Sequence, residues 1–117
     1  MPDPAPDCIL SFEIERKDGV AFVHCHGRLI SEVGGNFYTR MRQLMPEYKR
    51  LVLDLSDISY MDSMGLGTLV RLVVSSKSAG CSLELYKLGP RVKQLMGLTH
   101  LLGVFTIIGE QGVTLGF

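Results

Sequence analysis

Alternating apolar and polar residues near the N-terminus predict an antiparallel hairpin. Residues 8–15 (CILSFEIE) alternate in this way, and Val20–Leu29 (VAFVHCHGRL) alternate again after the turn signal Asp18-Gly19. A two-residue period places successive side chains on opposite faces of a strand. Aspartate followed by glycine is a strong signal for the tight turn that joins two such strands.

A helical period follows the hairpin. Apolar residues recur at intervals of three and four, at Val33, Phe37, Met41, Leu44 and Met45. Ser31 and Asn36 are both acceptable N-caps, and Pro46 marks the end of the predicted helix. Residues 50–56 (RLVLDLS) are mostly apolar, which is typical of a strand buried on both faces of a parallel sheet.

The clearest helix is predicted for Ser63–Ala79, with Gly80 as its C-terminal cap. Its apolar face is expected to comprise Leu66, Leu69, Val70, Val73 and Val74. Residues 81–87 alternate as a strand, a third helix is predicted to begin at Pro90, and residues 104–108 form a final short strand. The tail, residues 109–117, shows no helical period.

This order, β-β-α-β-α-β-α-β, predicts an α/β fold: a small mixed sheet, parallel apart from its first strand, covered by amphipathic helices. Residues 1–7 are expected to be a flexible tail and residues 8–117 a single domain. Functional residues of such sheets gather where strands lead into helices. The loop predicted after Ser56 is therefore the candidate functional region.

The composition and charge of the chain argue against several classes of function. The 117 residues carry 12 Lys and Arg against 12 Asp and Glu, so the formal net charge is zero. A nucleic-acid binder or a polybasic membrane-surface protein would need an excess of basic residues. No apolar run approaches the roughly 18 residues that cross a bilayer. The start, MPDPAPDC, lacks the basic and then apolar order of a signal peptide, which favours the cytoplasm.

The cysteines and histidines do not predict a metal site. Cys8, Cys25 and Cys81 form no C-x-x-C pair, and we expect them to be small buried apolar residues in a reducing compartment. His24 and His26 should share one face of a strand while Cys25 points into the core. Two histidines on one face do not complete a tetrahedral site.

The segment that leads into the second helix carries the candidate chemistry. Ser63 directly precedes the periodic residues, so its hydroxyl is expected to cap the helix. Gly65 and Gly67 would keep the surface flat enough for another protein to approach. The neighbouring apolar side chains Tyr60, Met61 and Met64 offer adaptable contacts. A purely structural interpretation, a capping serine and packing glycines, remains open.

Catalysis by Ser63 is disfavoured. The residue lies in M-D-S-M-G and not in a G-x-S-x-G elbow, so a serine hydrolase is the weakest alternative. An activated serine needs a base, and nothing in the sequence places His24, His26 or His100 beside it. Asp57 and Asp62 do not by themselves suggest a metal site.

The run LVLDLSDISYMDSMGLGTLV, residues 51–70, resembles the signature of STAS domains, and specifically of bacterial anti-sigma factor antagonists. The family pattern is a strand that ends in Asp-Leu-Ser, a variable loop, and Met-Asp-Ser-x-Gly-Leu-Gly at the start of a helix. Gly27-Arg28-Leu29 resembles the family's Gly-x-Leu. Two positions depart from the pattern: Met64, where Ser, Thr or Ala is frequent, and Ile30, where Asp is common.

The resemblance implies a switchable binding module that is not itself an enzyme, and we expect the chain to hold no cofactor or metal. Ser63 matches the serine that a partner phosphorylates, the partner being an anti-sigma factor that is also a serine kinase. The unphosphorylated antagonist binds that kinase and frees the sigma factor, and a metal-dependent serine phosphatase reverses the modification. The implied partner-binding residues are Tyr60, Met61, Asp62, Ser63, Met64, Gly65, Leu66 and Gly67. The alternative is an unphosphorylated STAS subunit of a signalling or transporter-associated assembly, with a nucleotide or lipid as a further ligand.

Overall fold

A computed structural model describes residues 9–98, 105–110 and 113–115. The strands among these residues form one six-stranded mixed sheet. The sheet order equals the chain order, β1 to β6. Strands β2 to β5 are parallel, whereas β1 and β6 run antiparallel to their neighbours. The strands are β1 (Leu10–Lys17), β2 (Val20–Leu29), β3 (Arg50–Met61), β4 (Ser82–Tyr86), β5 (Thr106–Glu110) and β6 (Val113–Leu115).

Three helices connect the parallel strands. They are α1 (Ser31–Leu44), which a 3-10 turn (Met45–Glu47) extends, α2 (Ser63–Ala79) and α3 (Pro90–Leu98). Crossovers between parallel strands are nearly always right-handed. Because each crossover here advances to the next strand in the same direction, right-handed connections place all three helices on one face of the sheet. The predicted α/β fold class is confirmed, with the helices on that single face.

The core lies between this helix-covered face and the helices. Ala21, Val23 and Cys25 of β2 are buried in it, together with Leu53 of β3 and Leu85 of β4. The side chains of alternate residues point to the other side, which we call the open face because no helix of the described part of the chain covers it. The open face comprises Phe22, His24 and His26 on β2, Val52 and Asp54 on β3, and Glu84 and Tyr86 on β4.

Strand β3 is longer than predicted, because residues 57–61 continue pairing with β2 instead of forming a loop. The register shifts between His24 and His26 and again between Gly27 and Arg28, so extra residues bulge out of β3. Bulges break the two-residue alternation. Ile58 and Met61 are buried without the period that would have revealed a strand.

Two further details differ from the sequence-based expectations. Val113–Leu115 pairs antiparallel with β5, although no element was predicted in the tail, so the first strand is not the sheet's only antiparallel one. On α2, Leu66, Leu69, Leu72 and Val73 are buried, whereas Val74 is 62% exposed. The buried stripe runs through Leu72, which the predicted face lacked.

The other bounds agree to within two residues where they can be compared. Strand β2 and helix α2 have the predicted limits, α3 begins at Pro90, and Gly80 ends α2 in a left-handed conformation with φ of 71°. The predicted flexible tail, residues 1–7, and Cys8 lie outside the described residues, as does Val104 of the predicted last strand. No helix in the described ranges is long and apolar enough to cross a membrane.

Candidate functional site

Helix α2 begins with Asp62 as its N-cap and not with Ser63. The Asp62 backbone is extended, and its Oδ1 accepts a hydrogen bond of 2.7 Å from the Gly65 backbone N–H. Ser63 is the first helical residue, so its hydroxyl lies beyond the capping position that we predicted for it. Aspartate and serine are both good N-caps, and the prediction that Ser63 is the cap was wrong by one residue.

The same carboxylate also serves α1. Ile30 occupies the N-cap position of α1 and provides no side-chain hydrogen bond, so neither Ser31 nor Asn36 caps this helix. Asp62 Oδ2 instead accepts a hydrogen bond of 3.3 Å from the Ser31 backbone N–H. One aspartate therefore joins the N-terminal ends of two helices, where partial positive charge accumulates.

Glycines allow this close approach of the helices and the sheet. A Cβ atom on Gly65 would lie 2.0 Å from the carbonyl oxygen of Leu29, and one on Gly34 would lie 2.6 Å from Thr68 Oγ1. Any larger residue at Gly65 would push α2 away from β2. Gly65 thus serves internal packing and not the flat outer surface that we expected, whereas Gly67 has open space around its Cβ position.

The signature segment, residues 51–70, contains three exposed serines that differ in their hydrogen bonds. Ser56 Oγ donates to Asp54 Oδ1 at 2.7 Å, and Ser59 Oγ donates to the Gly27 carbonyl oxygen at 3.2 Å. The Ser63 hydroxyl forms no hydrogen bond within the part of the chain that is described. Ser63 is therefore the serine of the three whose hydroxyl can react without first breaking an intramolecular contact.

The predicted partner-binding residues divide into a surface group and a supporting group. Tyr60 and Met64 are 45% and 64% exposed, and both lie close to Ser63 in the chain. Met61, Gly65 and Leu66 are buried, so they support the surface from beneath. The residues that present atoms at the surface are Tyr60, Asp62, Ser63, Met64 and Gly67.

Titratable groups near the signature segment are paired with one another. The pKa of the Asp54 carboxyl is held below its usual value: partial burial raises it, but hydrogen bonds from Ser56 and His24 outweigh that effect. His24 and His26 form hydrogen bonds to carboxylates and not to Ser63, so neither acts as a base for that hydroxyl. Within the described residues, no three His, Cys, Asp or Glu side chains converge where a metal ion could bind.

The STAS domain family matches residues 11–111, and the chain belongs to this family. The resemblance drawn from the signature segment is thereby confirmed. The fold is similar to an anti-sigma factor antagonist from Mycobacterium paratuberculosis, with a TM-score of 0.76 and 22% identity over 91% of this chain and 90% of that chain.

Two further solved structures are similar over most of their length. A proposed anti-sigma factor antagonist from Thermotoga maritima has a TM-score of 0.74 and 26% identity, covering 82% of this chain and 84% of that chain. The anti-sigma factor antagonist SpoIIAA of Bacillus in its unphosphorylated form has a TM-score of 0.71 and 14% identity, covering 86% and 90%. The fold is thus that of anti-sigma factor antagonists.

Proposed function

We propose that this chain is an anti-sigma factor antagonist whose affinity for an anti-sigma factor is switched by phosphorylation of Ser63. The observation that carries the proposal is the difference in hydrogen bonding among the three serine hydroxyls of the signature segment. The hydroxyls of Ser56 and Ser59 are engaged, whereas the Ser63 hydroxyl is exposed and unbonded among the described residues.

The position of Ser63 favours a switch that leaves the fold intact. A phosphate there would add about −1.5 to −2 charges at pH 7. The N-terminal end of α2 tolerates negative charge, because the helix dipole and the free N–H groups of the first turn stabilise it. Phosphorylation of the first helical residue should therefore preserve the helix and change only the surface.

The neighbouring carboxylate makes that surface change large. Asp62 is held by the Gly65 and Ser31 backbone N–H groups, so it cannot turn away from a phosphate on the adjacent residue. The partner surface would then meet two neighbouring anions beside the apolar side chains of Tyr60 and Met64. Desolvation and repulsion at an interface cost several kcal/mol, and about 3 kcal/mol weakens binding roughly a hundredfold.

The proposed partners follow from this role. The chain acts in the cytoplasm as the substrate of a serine kinase that is also the anti-sigma factor, and a metal-dependent serine phosphatase restores the binding form. It contributes a surface and a hydroxyl, and it performs no chemistry itself. Met64, which is large and exposed, gives the rim of this surface an apolar contact that a serine or alanine would not provide.

The first experiment locates the modification. The immobilised chain captures the anti-sigma factor kinase from the native cell extract, and the purified kinase is incubated with the chain and ATP. We expect one phosphate by intact mass in the wild type and in the control variants Ser56→Ala and Ser59→Ala, and none in Ser63→Ala. Modification that persists in Ser63→Ala would show that the assignment is wrong.

The second experiment measures affinity. Ser63→Ala should bind the kinase as tightly as the unmodified wild type and should resist release by ATP. The phosphorylated wild type should bind about a hundredfold more weakly. If Ser63 is modified and the affinity is unchanged, the modified residue is correct but the switch is not. If no kinase modifies Ser63, the alternative is favoured, in which the chain is an unphosphorylated STAS subunit of a signalling or transporter-associated assembly.

A further inference from the structure

Two histidines on the open face each bridge three strands. His24 lies on β2, and its Nε2 is 2.6 Å from Glu15 Oε1 on β1, while its Nδ1 is 3.1 Å from Asp54 Oδ2 on β3. Both ring nitrogens therefore face a carboxylate. The His24 and Asp54 side chains are 29% and 16% exposed, so the contact between them is partly shielded from water, whereas Glu15 is exposed.

The second histidine repeats the arrangement two residues further along β2. His26 Nε2 is 2.7 Å from Glu13 Oε1 on β1, and His26 Nδ1 is 2.6 Å from Asp57 Oδ2 on β3. Asp57 belongs to the bulged part of β3 that leads to Ser63. The two histidines and four carboxylates thus form a continuous ladder across β1, β2 and β3.

The hydrogen-bond chemistry of this ladder requires extra protons. An ionised carboxylate only accepts hydrogen bonds, and a neutral imidazole donates from one nitrogen only. An imidazole with a carboxylate at each nitrogen can satisfy both contacts only as an imidazolium ion. The geometry therefore assigns a positive charge to both rings while the carboxylates are ionised.

The other charged groups on this face do not replace that charge. Arg50 is committed to Glu84, with which it forms hydrogen bonds of 2.6 and 2.8 Å. Lys87 lies over the ring of Tyr86, 5.2 Å from its centroid. The charged groups that line the shallow pocket next to His24 are Glu15, Lys17 and Asp18. Four carboxylates face the two rings, and no lysine or arginine forms an ion pair with any of the four in the described part of the chain.

We propose that His24 and His26 form a pH-sensitive clamp, in which two imidazolium ions tie the edge strand β1 and the bulged part of β3 to β2. When a ring loses one proton, it keeps at most one donor, so one of its two carboxylate contacts is lost. Strand β1 and the segment that carries Asp57 are then held less firmly. The clamp is independent of the proposed phosphorylation, although it holds the strand that leads to Ser63.

The direction of the pH dependence follows from the pKa shifts. Partial burial lowers the pKa of His24, but its hydrogen bonds to Asp54 and Glu15 outweigh this effect and raise the pKa above its ordinary value. Hydrogen bonds to Asp57 and Glu13 raise the pKa of His26. A raised folded-state pKa gives stabilisation that is complete below the unfolded pKa of about 6.5 and is lost as pH rises through the folded pKa.

The experiment uses the full chain with His100, which lies outside the described residues, replaced by Gln so that two imidazole signals remain. Ring nitrogen shifts are followed by NMR from pH 5 to 10, together with amide hydrogen exchange of β1 and β4. We expect both rings to be doubly protonated at pH 6 and to titrate above about 6.5. The protection factors of the β1 amides relative to those of β4, corrected for intrinsic exchange, should fall roughly threefold to tenfold across that titration. A change of this size corresponds to the loss of one hydrogen bond on each ring.

Two variants test the partners. Glu13→Gln should lower the pKa of His26 and leave that of His24 nearly unchanged, whereas the matched control Arg50→Gln, on the same face, should change neither. Titration of both rings at or below about 6.5 would overturn the clamp, as would relative β1 protection that does not depend on pH. Because the titration and exchange of the chain that carries only the His100→Gln substitution are decisive by themselves, the test survives if Glu13→Gln or Arg50→Gln fails to fold.

Discussion

Three consecutive residues of β2 show how differently the two faces of the sheet are built. Cys25 points into the helix-covered core and is 2% exposed, while His24 and His26 on either side point to the open face and bind carboxylates. One face excludes water with apolar side chains, and the other arranges charges within hydrogen-bonding distance. A single strand thus supports two kinds of stabilisation.

The two kinds should respond to different conditions. Apolar burial is not directional and does not depend on protonation. Ion pairs that are partly open to water contribute less, and they depend on pH and salt. Substitutions on the covered face should therefore lower stability at every pH, whereas the effects of substitutions on the open face should vary with conditions.

The largest expected effect is on the covered face. Leu69 of α2 is fully buried, so Leu69→Ala should lower the free energy of unfolding by about 2–5 kcal/mol through lost burial and a residual cavity. The matched control on the same helix is Val74→Ala, which should change stability by less than about 0.5 kcal/mol. Denaturant melts of both variants measure the difference, and equal losses would contradict the burial of this stripe.

A smaller effect is expected from the ion pair that joins β3 and β4 on the open face. Arg50 binds Glu84 through two hydrogen bonds, and the Glu84 side chain is 11% exposed. Arg50→Met leaves that carboxylate with only the hydrogen bond from Ser82 and without a neutralising charge, and should cost about 1–3 kcal/mol. The double variant Arg50→Met/Glu84→Met should recover part of this loss. A double variant that is less stable than the single one would show that the apolar replacement does not fit.

Asp54 should make a contribution that disappears in acid. Because the folded-state pKa of Asp54 is lowered, its stabilisation is present above the unfolded pKa and is lost as pH falls through the folded pKa. Between pH 5 and pH 2 the wild type should therefore lose more stability than Asp54→Asn, by about 1 kcal/mol or less. Denaturant melts of both proteins in that pH range measure the difference. If the stability of the two proteins depends on pH in the same way, the hydrogen bonds of Asp54 do not stabilise the fold.

The smallest effect concerns Cys25, whose thiol should be inert. Burial, together with the negative charge of Asp54, raises the pKa of Cys25 to about 12. In a Cys8→Ser, Cys81→Ser background, a thiol reagent should leave the folded chain unlabelled at pH 8 and label it fully in denaturant. Rapid labelling of the folded chain would mean that the covered face opens much more readily than its packing indicates.

The sequence predicted an element best where its capping residues and its apolar period indicate the same bounds. Helix α2 has the predicted bounds, because its apolar period lies between a capping pair, Asp62-Ser63, and a C-terminal glycine, Gly80. The same sequence could not decide which residue of the capping pair serves as the cap. That choice depended on backbone conformation, and it left the hydroxyl of Ser63 without a hydrogen bond to any residue that the structure describes.

The sequence by itself determined the periods of the two hairpin strands and of the helices, the alternation of Cys25 with its two histidines, and the family to which the signature segment points. Only the tertiary structure decided which distant groups meet. His26 lies 31 residues from Asp57, and Ser31 lies 31 residues from Asp62, and each pair is brought together by the parallel pairing of β2 and β3. No local pattern encodes such contacts, because they depend on strand register, and the bulges that set this register in β3 conceal the alternation from which a strand is predicted.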